Sequence, residues 1–147
     1  MPVSDLTDHT GYWLRMASNA VSQDFARKVA SEGVTVAEWS FMRALFNDEG
    51  TAPTALADRM GMTRGAISKL ADRLVTKGLV LRVEAGSRGQ ILSLTSGGRA
   101  QVPALAAMAD ANDAEYFGVL SGEDREALNR ILQTLAERRG LTETPVE

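Results

Sequence analysis

Apolar side chains recur every third or fourth residue along most of the chain, beginning with Trp13, Met16, Ala17, Ala20, Val21, Phe25 and Val29. That spacing predicts an amphipathic helix over residues 11–30 that runs on to Ser31 and is ended by Gly33. Thr35 is placed to cap a second helix, whose Val36, Trp39, Met42, Leu45 and Phe46 repeat in the same way, and residues 47–52 read as a loop. Thr54 and Thr63 head two further helices, 55–60 and 64–77, which stop at Gly61 and Gly78. After Gly78 the pattern changes. Residues 79–83 read as a strand, 84–89 as a turn and 90–94 as a returning strand. Thr95 then caps a long helix through Val102, Leu105 and Met108 to about Phe117. Ser121 with Asp124 forms a capping-box start for a last helix, striped by Leu128, Ile131, Leu132 and Leu135.

Two short helices joined at a glycine and followed by a hairpin are the order of a winged helix-turn-helix. The predicted fold is mainly α with a small β-hairpin wing, flanked by N- and C-terminal helices. Each position in the central segment has a mechanical reason. Ala57 is small where the two helices cross, Gly61 permits the tight turn, and Ile67, Leu70 and Leu74 anchor the second helix on the core.

At 147 residues the chain fits one domain, with a lobe at 36–94 between flanking helices at 1–32 and 95–140. It contains no cysteine, which excludes disulfides, thiolate zinc sites and thiol redox sensing. The N-terminal residues lack a basic and then apolar leader, and no stretch approaches the roughly 18 apolar residues of a membrane span. The expectation is a soluble, cytoplasmic protein. Catalysis is not expected, because there is no glycine-rich phosphate loop, no paired carboxylates and a single histidine. That residue, His9, is no metal ligand on this reading, and neither metal nor cofactor is expected.

A net charge of −3 argues at first against a nucleic-acid partner. Its distribution reverses the inference. Residues 58–99 hold eight bases (Arg59, Arg64, Lys69, Arg73, Lys77, Arg82, Arg88, Arg99) against three acids, a local +5 that leaves −8 elsewhere. The outward face of the second short helix presents Arg64, Gly65, Ser68, Lys69 and Asp72, and recognition helices send such residues to base edges in the major groove. Arg64 suits guanine readout, Ser68 is ambiguous, and Thr63 serves as cap or contact. Lys69, Arg73 and Lys77 are expected on phosphates. Arg88, between Ser87 and Gly89 at the hairpin tip, is expected in the minor groove.

The run from Leu56 to Arg99, with its wing end Arg88-Gly89 and its Leu94-Thr95-x-x-Gly98-Arg99, resembles the MarR family of multiple-antibiotic-resistance-type regulators. The resemblance implies a transcriptional regulator, more often a repressor, in which the first and last helices interlock into a homodimer. It also implies a small aromatic or anionic effector held between the dimerisation helices and the DNA-binding lobe. His9, Tyr12, Trp13, Trp39 and Arg43 could line such a crevice, with Arg43 facing an anion, although core packing is the favoured reading for both tryptophans. One position departs from the pattern. Where the family usually carries an acidic residue two positions before the wing arginine, this chain has Gly86.

The apolar stripes of the terminal helices independently call for a second copy, the alternative being that both helices pack within a monomeric bundle, and a two-fold dimer requires a pseudo-palindromic operator of double-stranded DNA. The alternative function is a winged-helix module for protein contacts without specific DNA binding.

Overall fold

The computed structural model describes residues 2–142 and Pro145, and all their side chains except that of Arg88. It contains helices α1 (Thr10–Ala30), α2 (Val36–Phe46), α3 (Pro53–Met60) and α4 (Arg64–Thr76). Strands β1 (Val80–Glu84) and β2 (Gln90–Leu94) follow, then α5 (Ser96–Phe117) and α6 (Gly122–Arg138). The predicted order is therefore observed, preceded by one short 3-10 turn at Leu6–Asp8 that apolar periodicity does not signal.

Local chemistry sets most boundaries. Thr35 Oγ1 accepts from the amide of Glu38, whose carboxylate accepts from the amide of Thr35, so two otherwise orphaned donors are satisfied reciprocally. Thr63 caps α4 by accepting from the Ala66 amide, and Ser121 caps α6 by accepting from Asp124. The expected cap at Thr54 does not start α3: the helix begins two residues earlier than expected, with Pro53 in its first turn and Ala52 as N-cap. Proline has no amide to satisfy and its fixed φ suits the first helical position, so it displaces the threonine from the capping role. Gly61, at φ 62°, turns the chain from α3 into α4 in the left-handed region that a Cβ disfavours.

The hairpin pairs Val80 with Leu94 and Glu84 with Gln90. Thr51 adds a third short rung by exchanging two 2.9 Å backbone hydrogen bonds with Leu92, so the segment read as a loop contributes to the sheet. The junction of wing and α5 is stitched at Thr95. Its amide donates to Leu79 O, its hydroxyl donates to Gly78 O at 2.7 Å, and the same oxygen accepts from the Gly98 amide. A Cβ at Gly98 would strike the Leu79 carbonyl, which explains the glycine of the Leu-Thr-x-x-Gly run.

The core lies inside the lobe. Phe41, Met42, Leu45, Leu56, Ile67, Leu74, Val80 and Leu92 are buried, closed on one side by Val102 and Leu105 of α5. The terminal helices contribute little to it. Only Val29 of α1 is buried, and α6 buries no residue at all. Trp13, expected in the core, is 53% exposed, with its indole N–H donating to Thr7 O at 3.0 Å.

Candidate nucleic-acid interface

Helix α4 is anchored by one face and free on the other. Ile67, Leu70, Ala71 and Leu74 recur at helical spacing and are buried, which leaves Arg64, Gly65, Ser68, Lys69, Asp72 and Arg73 on the outside. Thr63 is exposed at the helix start, where its hydroxyl is occupied as the cap.

The basic residues divide sharply by partner. Arg59 donates to Asp48 at 2.8 Å and to Ala44 O. The guanidinium of Arg59 and the hydroxyl of Thr51 hold the Asp48 carboxyl below its ordinary pKa. Arg99 donates to Phe46 O at 3.0 Å and lies over the Phe46 ring. Arg82 pairs with Asp72 and donates to both the carbonyl and the hydroxyl of Ser68, tying the first wing strand to α4. Ser68 and Asp72, placed by sequence on the reading face, are therefore committed to holding the wing.

Arg73 and Lys77, expected on phosphates, turn instead toward Glu38 of α2. Lys77 Nζ reaches Glu38 Oε1 at 2.9 Å and also donates to Gly33 O at 2.7 Å. Arg73 Nη2 lies 3.4 Å from Glu38 Oε2 and donates to Thr35 Oγ1 at the same distance. Glu38 is completely buried, and an isolated buried charge is too costly to keep, so two cations from α4 are recruited to it. Burial raises the carboxyl pKa. The Lys77 hydrogen bond, the Thr35 amide and the charges of Lys77 and Arg73 outweigh it and hold Glu38 below its ordinary value. Among the described side chains, this leaves Arg64 and Lys69 as the bases of the +5 segment with neither an ion pair nor a side-chain hydrogen bond, Arg99 being held by the Phe46 carbonyl. Arg88 lies in the 3-10 turn Gly86–Arg88 at the wing tip, and its side chain is outside the described set.

Glu38 escaped the residue-by-residue reading, although its signal was legible. Thr-x-x-Glu before an apolar run is a capping box, and a carboxylate placed among Val36, Trp39, Phe41 and Met42 needs cations from a neighbouring element.

A cavity of about 820 Å³ opens between α1, α2 and α5, lined by Val21 and Phe25, by Val36 and Trp39, and by Asn112. Arg73 is the one α4 residue in its wall. Of the residues expected to line an effector crevice, Trp39 is here, its ring 6.5 Å from that of Phe25 in an edge-on arrangement. Trp39 is also half-buried against the core, as the core-packing reading expects. Arg43 borders a smaller, 460 Å³ hollow beside Trp39 and Arg59, with its guanidinium over Phe46. Tyr12 and Trp13 pack edge to face against each other near the N-terminus and line neither space. Asn112, unremarked in the sequence, is buried between α1 and α5. It accepts from Lys28 at 2.9 Å and donates to Val21 O.

Among the described residues, no group of three or more His, Cys, Asp or Glu could hold a metal ion, and no helix is long and apolar enough to cross a membrane.

Residues 32–90 match the model of the MarR family. The chain is 31% identical over 139 residues to a putative transcriptional regulatory protein for the hcr operon of Thauera aromatica, covering 92% of this chain and 82% of that protein. Among solved structures it is similar to a transcriptional repressor, CouR, seen bound to a 23-mer DNA duplex. The identity there is 29%, the TM-score 0.80, and the alignment covers 92% of this chain and 98% of that one. It is also similar to a Mycobacterium tuberculosis MarR family protein in complex with p-aminosalicylic acid, at 25% identity and a TM-score of 0.68 over 87% and 98% of the two chains. Helix order, hairpin, family match and near full-length similarity agree, and the chain belongs to the MarR family.

Proposed function

We propose that this protein is a homodimeric transcriptional regulator that binds a pseudo-palindromic double-stranded operator, acts as a repressor, and is released by a small aromatic or anionic effector. Residues 36–94 form the DNA-binding lobe, and residues 1–32 and 95–140 form the dimerisation helices. On this reading the protein works by binding alone and is not an enzyme. A cytoplasmic location follows from a DNA target.

The observation that carries the proposal is the outward face of α4. Arg64 and Lys69 project there without intramolecular partners, while the neighbouring bases are occupied. An unpaired arginine in the first turn of a recognition helix can donate two hydrogen bonds to guanine. Gly65 lies on the same open face, where a Cβ would meet only Thr63 Oγ1 at 3.9 Å. Packing does not demand glycine at this position, whereas close approach to a DNA backbone does. Arg88 keeps its sequence-based assignment to the minor groove. Arg73 and Lys77 pass from phosphate contacts to supports of α4.

Dimerisation is supported by the apolar surface that the chain leaves open at both ends. Trp13, Leu14 and Met16 of α1 and Ile131, Leu132 and Leu135 of α6 are each between 37% and 53% exposed. A second copy covers such stripes, and two-fold symmetry sets the recognition helices about 34–36 Å apart, one turn of B-DNA. Effector release is supported by the apolar cavity and by the relative seen with p-aminosalicylic acid.

A protein-contact module is the competing reading, favoured by the many bases already paired within the chain. Salt separates the two. Binding to duplex DNA should weaken linearly with log salt, and Lys69→Ala should lower that slope by about one while leaving sequence preference intact. Duplex binding that ignores both salt and Lys69 supports protein contacts instead.

A further inference from the structure

Arg73 faces two ways. Its guanidinium lies 3.4 Å from the buried carboxylate of Glu38, and the same residue forms part of the wall of the 820 Å³ cavity. The cavity's other charged lining residue is Asp113, which Arg125 of α6 neutralises at 2.8 Å. Arg73 is thus the one basic residue among the described lining.

The two cations that serve Glu38 are held very differently. Lys77 makes two short contacts, at 2.9 Å and 2.7 Å, whereas both Arg73 contacts are at 3.4 Å. Glu38 Oε2, the oxygen nearest Arg73, has no hydrogen-bond partner although it is buried. Lys77 is therefore the fixed support of α4 and Arg73 the loose one. An anion inside the cavity competes with Glu38 for a guanidinium that is weakly committed, and charge-assisted, two-pronged pairing favours the better-placed carboxylate.

We infer that Arg73 is shared between the cavity and Glu38, so that a carboxylate ligand in the cavity draws Arg73 from Glu38 and shifts the recognition helix. This inference rests on the reading of the cavity as the effector site and adds how occupancy reaches the DNA-binding surface. The ligand class follows from the lining: an aromatic body against Phe25 and Trp39, and a carboxylate at Arg73. The transmission is short, since Arg73 belongs to α4 itself, nine residues after Arg64. Coupling of this kind is reciprocal. A change at Glu38 must alter ligand affinity, and the ligand must alter the hold on α4.

The test uses 2-naphthoate and its uncharged amide, 2-naphthamide, on the full-length protein carrying Trp13→Phe, so that fluorescence reports Trp39 alone. Arg73→Gln is expected to weaken naphthoate about 10-fold or more and to leave naphthamide unchanged, as loss of a charge-assisted contact requires. Glu38→Gln keeps the capping geometry but removes the competing charge. It should tighten naphthoate several-fold, weaken operator binding without ligand, and abolish the response of operator binding to naphthoate. Naphthoate that fails to bind, or that binds equally well to Arg73→Gln, overturns the inference. So does a Glu38→Gln protein that still releases DNA fully on adding naphthoate. If Glu38→Gln does not fold, Arg73→Gln decides the matter alone, because Arg73 is half exposed and outside the core. The fluorescence arm needs no DNA, so its outcome stands apart from whether the protein binds an operator.

Discussion

The lobe and the terminal helices are built to different degrees of self-sufficiency. Between Val34 and Leu94 the apolar stripes of α2, α3 and α4 and the inner positions of the hairpin meet one another and are buried. At the N-terminal end of α1 and along α6 stripes of the same periodicity stay open, and α6 buries nothing. Periodicity alone does not distinguish the two. The difference lies in what each stripe meets, and it teaches that the chain closes one core by itself and leaves further apolar surface uncovered.

The sharpest way to break that comparison is to charge the open stripe. Leu132→Asp with Leu135→Asp in α6 should halve the mass measured by light scattering without unfolding the lobe. It should also cut operator affinity by about 100-fold or more, the avidity lost when two half-sites are no longer linked. A mutant that stays dimeric places the interface elsewhere. The matching change in the lobe, Leu74→Ala, should cost about 2–5 kcal/mol in denaturant unfolding, because Leu74 is fully buried and its removal leaves a cavity.

Smaller effects sharpen the picture within the lobe. Arg64→Ala should cost about 1–3 kcal/mol of discrimination at one operator position, read by competition between duplexes, with no loss of thermal stability. Arg88→Ala should cost the same or less, since Gly86 stands where the family's supporting carboxylate would be. Thr63→Ala removes the α4 cap and should lower stability by about 1 kcal/mol.

The smallest signal is the pH dependence of the Glu38 pairing. Glu38 has a folded pKa below its ordinary value, so its contribution is fully present above the unfolded pKa and disappears as pH falls through the folded one. The stability gap between wild type and Glu38→Gln should thus be constant near neutral pH and close only below the ordinary carboxylate range. A gap that closes near pH 7 contradicts the pairing.

Much of the lobe could be read from residues because its signals are local. Thr35, Thr63, Thr95 and Ser121 cap the helices they were placed to cap, and Gly61 turns the chain where expected. What could not be read was which charges meet across elements. Arg73 and Lys77 look like phosphate contacts on α4 until a buried carboxylate from α2, more than thirty positions earlier, is found beside them. Ser68 looked free until Arg82 of the wing reached it. The cavity was equally hidden. Its Phe25, Trp39 and Asn112 come from three helices, and Tyr12 and Trp13, chosen for their chemistry, lie apart from it.

The central claim is tested most directly by fluorescence anisotropy of a labelled duplex taken from the DNA immediately upstream of the gene. A scrambled duplex is the control, at low and physiological salt, with wild type and Arg64→Ala side by side. The account predicts tight binding selective for the upstream duplex, weakened by salt and by loss of Arg64. Equal, weak binding to both duplexes, unchanged by the substitution, would contradict it.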